Sequence, residues 1–122
     1  MENARTYLES ALEMGKKINN LLILQYVFGV LGEVYTSKGE QAKAFENLNQ
    51  GLAAARQIGD KRGEAYNLTV LGEASMLNFN ASEALKFFNQ AVQIADAKME
   101  HSIKIKALAG MIRVYSFQGN KD

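Results

Sequence analysis

The residues of this 122-residue chain that could carry out catalysis are few. The chain has no cysteine and one histidine, His101, which excludes thiolate nucleophiles, cysteine-based zinc sites and metal sites built on two imidazoles. Ser102 follows His101 directly, but adjacent residues of a helix point in different directions and no third group completes a nucleophile and its base. Residues 14–17, Met-Gly-Lys-Lys, lack the first glycine and the hydroxyl residue of a phosphate-binding loop. None of these segments forms a catalytic motif.

Two pairs of carboxylates could act as an acid and a base or bind a metal. Glu33 and Glu73 are distant in the sequence, and the residues around them offer no supporting group that would assign one as an acid and the other as a base. Glu9 and Glu13 share a helix face at i, i+4, but two carboxylates supply fewer oxygen ligands than a hard cation requires. We therefore expect a non-enzyme with no metal and no cofactor.

The composition is that of a folded globular domain. Fourteen Lys and Arg against thirteen Asp and Glu leave the chain near neutral, which disfavours a nucleic acid as its partner. The most apolar segment, residues 21–32, is shorter than the roughly 18 to 20 residues that span a bilayer, so no membrane partner is expected. The N-terminus lacks the basic and then apolar segments of a secretory signal. We expect one cytoplasmic domain.

The sequence repeats itself, and its copies align without gaps. Residues 31–33 (Leu-Gly-Glu) of the first copy align with residues 71–73 (Leu-Gly-Glu) of the second. Residues 34–35 (Val-Tyr) of the first copy align with residues 114–115 (Val-Tyr) of the third. The chain is accordingly divided into three units of one domain, residues 1–40, 41–80 and 81–120.

Each unit contains two amphipathic patterns with helical spacing. The A-type pattern has apolar or small residues at i, i+3, i+4 and i+7, as at Phe28, Leu31, Gly32 and Tyr35. The B-type pattern has them at i, i+4, i+7 and i+11, as at Ala4, Leu8, Ala11 and Gly15. The chain starts on a B-type helix and ends after an A-type helix, so the pattern predicts six helices that alternate in type.

Glycine and asparagine separate these patterns, at positions where they can end a helix. The predicted breaks are at Asn19-Asn20, Gly39, Gly59-Asp60 and residues 78–80. Helices of roughly 15 to 18 residues joined by such short turns must run antiparallel to their neighbours. Small residues that recur at one phase indicate close approach of helix backbones, and we expect this at Gly32, Gly72, Ala44 and Ala84.

The Leu-Gly-x-x-Tyr segment at residues 31–35, with Gly39 after it, resembles the tetratricopeptide repeat. The 40-residue period and the linker at residues 59–65 are similar to the longer variant of that repeat, as in Pins-type adaptors, kinesin light chains and bacterial tetratricopeptide regulators. The resemblance covers the whole chain and implies an all-α fold, a right-handed superhelical solenoid of six helices in antiparallel pairs. Two departures are the absence of proline and the Met-Ile-Arg at residues 111–113 in place of Leu-Gly-Glu.

The resemblance also implies a concave groove, lined by the A-type helices, that binds a partner peptide or helix. Transfer of the groove-facing phase onto this sequence gives Tyr26, Glu33, Thr36, Ser37, Tyr66, Thr69, Glu73, Met76, Lys106, Arg113 and Phe117. Among them, Glu33, Glu73 and Arg113 predict a charge ladder that is acidic at one end and basic at the other and could orient a peptide. The aromatic residues and Met76 would supply its apolar anchors.

Two interpretations of function follow. The first is a non-catalytic protein–protein interaction module within a larger regulator or adaptor. The alternative is a self-assembling structural module, because the first B-type helix has no preceding A-type helix and the last A-type helix has no following B-type helix. Their apolar residues would then pack between copies in a homo-oligomer such as a dimer. The residues expected in this contact are Leu8, Leu12, Leu108, Met111 and Tyr115.

Overall fold

The helices end at the breaks that the sequence predicts. The computed structural model describes residues 2–17, 19–98 and 101–119, and these residues form helices and no strand. The six helices are α1 (Glu2–Lys17), α2 (Leu21–Lys38), α3 (Gln41–Ile58), α4 (Lys61–Leu77), α5 (Ala81–Lys98) and α6 (His101–Gly119). None of these helices has the length and apolarity needed to cross a membrane. The all-helical fold with six helices is thus confirmed, although residue 120 and the side chain of Ala4 lie outside the described part.

At each of four turns, one residue in the left-handed backbone conformation ends the preceding helix. The residues with positive φ are Asn19 (53°), Gly39 (79°), Gly59 (71°) and Phe79 (58°). They are evenly spaced, and the helices that follow begin at residues 21, 41, 61 and 81. Glycine and asparagine tolerate this conformation, whereas a bulky residue such as Phe79 is strained in it.

A polar residue after the left-handed position caps three of the helices. The side chains of Asn20, Asp60 and Asn80 each accept a hydrogen bond from the backbone N–H three residues further on, at 3.1, 3.0 and 3.1 Å. Each bond satisfies one of the free N–H groups of a helix N-terminus. These three turns are therefore defined by the two-residue sequence of a left-handed residue and a cap.

Large side chains of the odd-numbered helices fit against glycines of the even-numbered helices. Leu48 of α3 occupies the space that a Cβ at Gly32 would need. Phe88 of α5 lies between Gly72 and Gly110, where an added Cβ at either glycine would be 2.5 Å from a ring carbon. Ala44 and Ala84 are fully buried. The predicted close approach is confirmed at Gly32 and Gly72, and Ala44 and Ala84 lie in the core as small buried residues.

The core follows from these contacts. Helices α2, α4 and α6 contact one another in order, and each odd-numbered helix packs against its neighbours in the chain. Leu48, Leu68, Leu71 and Phe88 belong to one buried cluster. A second cluster, which includes Leu31, joins α2 to the middle of α1 and the first turn of α3. The even-numbered helices consequently form one continuous layer.

Replacement of Phe79 by glycine is expected to stabilise the protein. The side chain of Phe79 is 87% exposed, so the change removes backbone strain of about 1 kcal/mol and little packing. The midpoint of urea unfolding should rise at an unchanged m value. The reverse change at the equivalent turn, Gly39→Phe, should lower the midpoint; a lower midpoint for Phe79→Gly contradicts the strain argument.

In contrast to Phe79→Gly, the change Gly32→Ala is expected to destabilise the protein, because Gly32 is in close contact with Leu48. The new Cβ overlaps Leu48, so the free energy of unfolding should fall by about 1 kcal/mol even though alanine has the better helix propensity. Measurement of Gly32→Ala, Leu48→Ala and the double variant by urea denaturation isolates the contact. The loss of unfolding free energy in the double variant should be smaller than the sum of the losses in the two single variants. Strict additivity of the losses would exclude the contact as the cause.

Candidate functional site

An open groove of about 540 Å³ lies between α2 and α4, beside the first turns of α6. Its lining residues are Gln25, Tyr26, Val30, Glu33, Asp60, Arg62, Gly63, Tyr66 and Ile103. Tyr26, Glu33 and Tyr66 were expected from the sequence to face a groove, and the structure brings these three together. We refer to this cavity as the groove.

Tyr66 links α4 to α2 at the centre of the groove. Its hydroxyl donates a hydrogen bond to Oε1 of Glu33 over 2.6 Å. Gly29 makes room for the ring, because a Cβ at this position would lie 2.8 Å from Cε2 of Tyr66. The aromatic ring of Tyr66 therefore lies directly against the backbone of α2. This ring, which belongs to α4, forms the floor of the groove.

The Tyr66 hydroxyl is held in its protonated form. Burial raises its pKa far above the ordinary value of 10.0, and the hydrogen bond to Glu33 and the negative charge of Glu33 raise it further. The nearby Tyr26 and Glu73 act in the same direction. At neutral pH Tyr66 is therefore a fixed hydrogen-bond donor to Glu33 and has no tendency to transfer its proton.

Two ion pairs connect α6 to the carboxylates of the other even-numbered helices. Nζ of Lys106 is 3.6 Å from Oε2 of Glu33, and a guanidinium nitrogen of Arg113 is 3.9 Å from Oε2 of Glu73. These pairs are partly exposed, so each contributes little to stability. They do change the charge pattern, because Arg113 pairs with Glu73, the middle member of the predicted ladder, and Lys106 pairs with Glu33 at its acidic end.

The remaining residues of the predicted groove set lie elsewhere. Thr36 and Thr69 are buried, and their hydroxyls donate to the backbone carbonyls of Gly32 and Ala65 over 2.7 and 2.8 Å, so they present no hydroxyl to a partner. Met76 is partly buried against the larger core cluster. Ser37 and Phe117 are exposed near the ends of their helices but do not line the groove.

The structure adds six lining residues that the sequence did not predict, namely Gln25, Val30, Asp60, Arg62, Gly63 and Ile103. Gln25 is 7% exposed and lies against Gly63, at a place that a Cβ on Gly63 would occupy. Among the described residues its side-chain amide has no hydrogen-bond partner. The available signal was a single polar residue within the apolar segment 21–32. An unpaired amide at the edge of the groove is able both to donate to a ligand and to accept from it.

The residues expected to mediate self-association are separated in the structure. Leu108 and Tyr115 of α6 are exposed, whereas Met111 is partly buried against the larger core cluster. Leu8 and Leu12 of α1 are partly buried against the cluster around Leu31. Of the five residues expected in self-association, the exposed ones therefore lie on α6.

No protein-family model matches the chain, and no curated protein matches its sequence. Within residues 2–17, 19–98 and 101–119 no three carboxylate or imidazole side chains come together as a metal site would require. The site is therefore defined by its geometry, in which two tyrosines, one unpaired amide and one paired carboxylate surround an open groove.

The raised pKa of Tyr66 predicts a loss of stability at alkaline pH. Above about pH 10 the unfolded chain releases the tyrosine proton while the folded chain retains it, so the free energy of unfolding falls as pH rises. Tyr66→Phe should remove part of this slope when urea unfolding is measured between about pH 9 and pH 11.5. Tyr7→Phe is the control, because Tyr7 is highly exposed. Equal slopes in the wild type and Tyr66→Phe would contradict the assignment.

Proposed function

We propose that the chain is a non-catalytic protein-interaction module that binds a partner peptide in the groove. The observation that carries this proposal is the grouping of Tyr26, Tyr66 and the unpaired amide of Gln25 around one open cavity. Peptide recognition generally combines an aromatic or apolar anchor with polar groups that hold the peptide backbone. The groove offers both, and its open form suits a chain that passes through it.

The architecture proposed for this module is a tetratricopeptide-type, right-handed solenoid of three 40-residue units. Its support is the regular spacing of the helices, which begin at residues 21, 41, 61, 81 and 101, and the ordered contacts of α2, α4 and α6. In such a solenoid the even-numbered helices line one wall, and binding along that wall is a property of the array.

Each groove residue has a separate part in the proposed binding. The ring of Tyr26 is 64% exposed and, with Val30 and Ile103, provides a place for an apolar side chain of the peptide. The amide of Gln25 pairs with a peptide group of the ligand, because it carries a donor and an acceptor side by side. The Tyr66–Glu33 hydrogen bond keeps the floor of the groove rigid, which reduces the entropy lost on binding.

We further propose that the module belongs to a larger cytoplasmic regulator or adaptor. The near-neutral charge, with 14 basic and 13 acidic residues, supports a protein partner over a nucleic acid. The pairing of Lys106 with Glu33 and of Arg113 with Glu73 gives the same support, because these cations are already engaged within the chain.

The proposed function can be tested by selecting peptides that bind the 122-residue chain from a random phage-displayed library. Tyr26→Ala should weaken binding of the selected peptide at least about tenfold, as measured by fluorescence anisotropy, because it removes the exposed anchor. Leu22→Ala is the matched control, since Leu22 is also an exposed residue of α2 but does not line the groove. The proposal fails if no peptide is enriched, or if Leu22→Ala weakens binding and Tyr26→Ala does not.

A further inference from the structure

Two side-chain oxygens lie close together where the groove meets the first turn of α4. A Cβ on Gly63 would overlap Oε1 of Gln25 and would lie 2.8 Å from Oδ2 of Asp60. Both oxygens therefore border the position that this missing Cβ would take, which makes them near neighbours. The absence of a side chain at Gly63 leaves the space between them open to the groove.

The first of these oxygens belongs to an amide that is buried without a partner. Only 7% of Gln25 is exposed, and its amide forms no hydrogen bond within the described part of the chain. A buried polar group that is left unpaired costs about 1 to 3 kcal/mol of stability. Leu24 and Val27 beside it in α2 are buried and apolar, so stability alone favours an apolar residue at this position. A ligand that supplies the missing donor gives the glutamine a purpose.

The second oxygen carries a negative charge that no described residue neutralises. Oδ1 of Asp60 accepts the capping hydrogen bond of α4 over 3.0 Å, and Oδ2 has no partner among the described residues. The other acid of the groove, Glu33, is already bound by Tyr66 and Lys106. Arg62 also lines the groove, but it is engaged in an interaction of its own. Asp60 therefore gives this end of the groove a negative charge that a ligand can balance.

These two oxygens favour one kind of ligand group, a cation with several N–H donors. An anion is disfavoured, because the carboxylate of Asp60 already occupies the N-terminus of α4, where an anion would otherwise bind. Two oxygens are too few for a hard metal ion, and no group of three acids or imidazoles stands together in residues 2–17, 19–98 and 101–119. A guanidinium fits best, because its donors form a rigid planar fork that can reach two separate oxygens, whereas an ammonium is a compact point charge.

We propose that the peptide bound in the groove presents an arginine side chain, whose guanidinium donates hydrogen bonds to Oε1 of Gln25 and Oδ2 of Asp60. This inference rests on the proposed function and names the chemistry that the groove recognises. The aliphatic stem of the arginine covers the exposed ring of Tyr26, which lines the same groove. The oxygen of Gln25 has two lone pairs, so it can accept from the cation and from a peptide group of the ligand together.

Two capped tripeptides, acetyl-Leu-Arg-Leu-amide and its citrulline analogue, test the proposal. Citrulline has nearly the shape of arginine but lacks its charge and has fewer donors. Chemical-shift titrations of the isotope-labelled 122-residue chain, followed at the backbone amide of Gly63, give the dissociation constant of each peptide. The arginine peptide should bind at least about tenfold more tightly, because charge-assisted hydrogen bonds are stronger than neutral ones.

Asp60→Asn separates the charge from the cap of α4. Asparagine caps a helix about as well as aspartate does, so the helix is retained while the negative charge is lost. The two tripeptides should then bind this variant with nearly equal affinity. Glu46→Gln is the matched control, because Glu46 is exposed on α3 and does not line the groove, and this variant should keep the full preference for arginine.

Gln25→Met tests the second oxygen. Methionine has a similar size but no amide, so the arginine tripeptide should bind this variant more weakly. The midpoint of urea unfolding should stay the same or rise, because the change removes an unpaired buried amide. A purely structural role for Gln25 would instead lower the midpoint.

Several results would overturn the arginine assignment. Equal binding of the two tripeptides to the unaltered chain, or no binding of either, contradicts it. A lower urea midpoint for Gln25→Met also contradicts it, because the amide would then already be bonded within the chain. If the phage library yields peptides that depend on Tyr26 but carry no arginine, the assignment is wrong and the proposed function stands. If the library yields no peptide and neither tripeptide binds, both are wrong.

Discussion

The close contact between a large side chain and a helix glycine sets the geometry on which the rest of the structure depends. Leu48 against Gly32, and Phe88 between Gly72 and Gly110, fix how near the helices lie and in which register. Because the even-numbered helices then lie side by side, the ring of one can reach the backbone of the next. Tyr66 lies against Gly29 for this reason, and the groove exists because the two helices are held at that separation.

The turns keep this register constant along the chain. A left-handed residue occurs at each of four evenly spaced turns, so each even-numbered helix presents the same phase to the same side. Three of the four left-handed residues are glycine or asparagine, and Phe79 is the exception. Its strain is tolerated because the contacts of α4 and α5 on either side over-determine the turn. Regularity therefore comes from the packing as much as from the local preference of each turn residue.

The sequence was sufficient for the helices, the breaks and the glycine contacts, because these depend on local spacing and on the 40-residue repeat. The resemblance to the tetratricopeptide repeat predicted Tyr26, Glu33 and Tyr66 on one surface, and all three line the groove. The predicted exposure of Thr36 and Thr69 in the groove was wrong. A threonine can be buried when its hydroxyl donates to the carbonyl four residues earlier, and the sequence alone does not distinguish such a threonine from an exposed one. The sequence also failed for Gln25, Asp60 and Ile103, because contacts between separate helices depend on a crossing geometry that no single helix pattern contains.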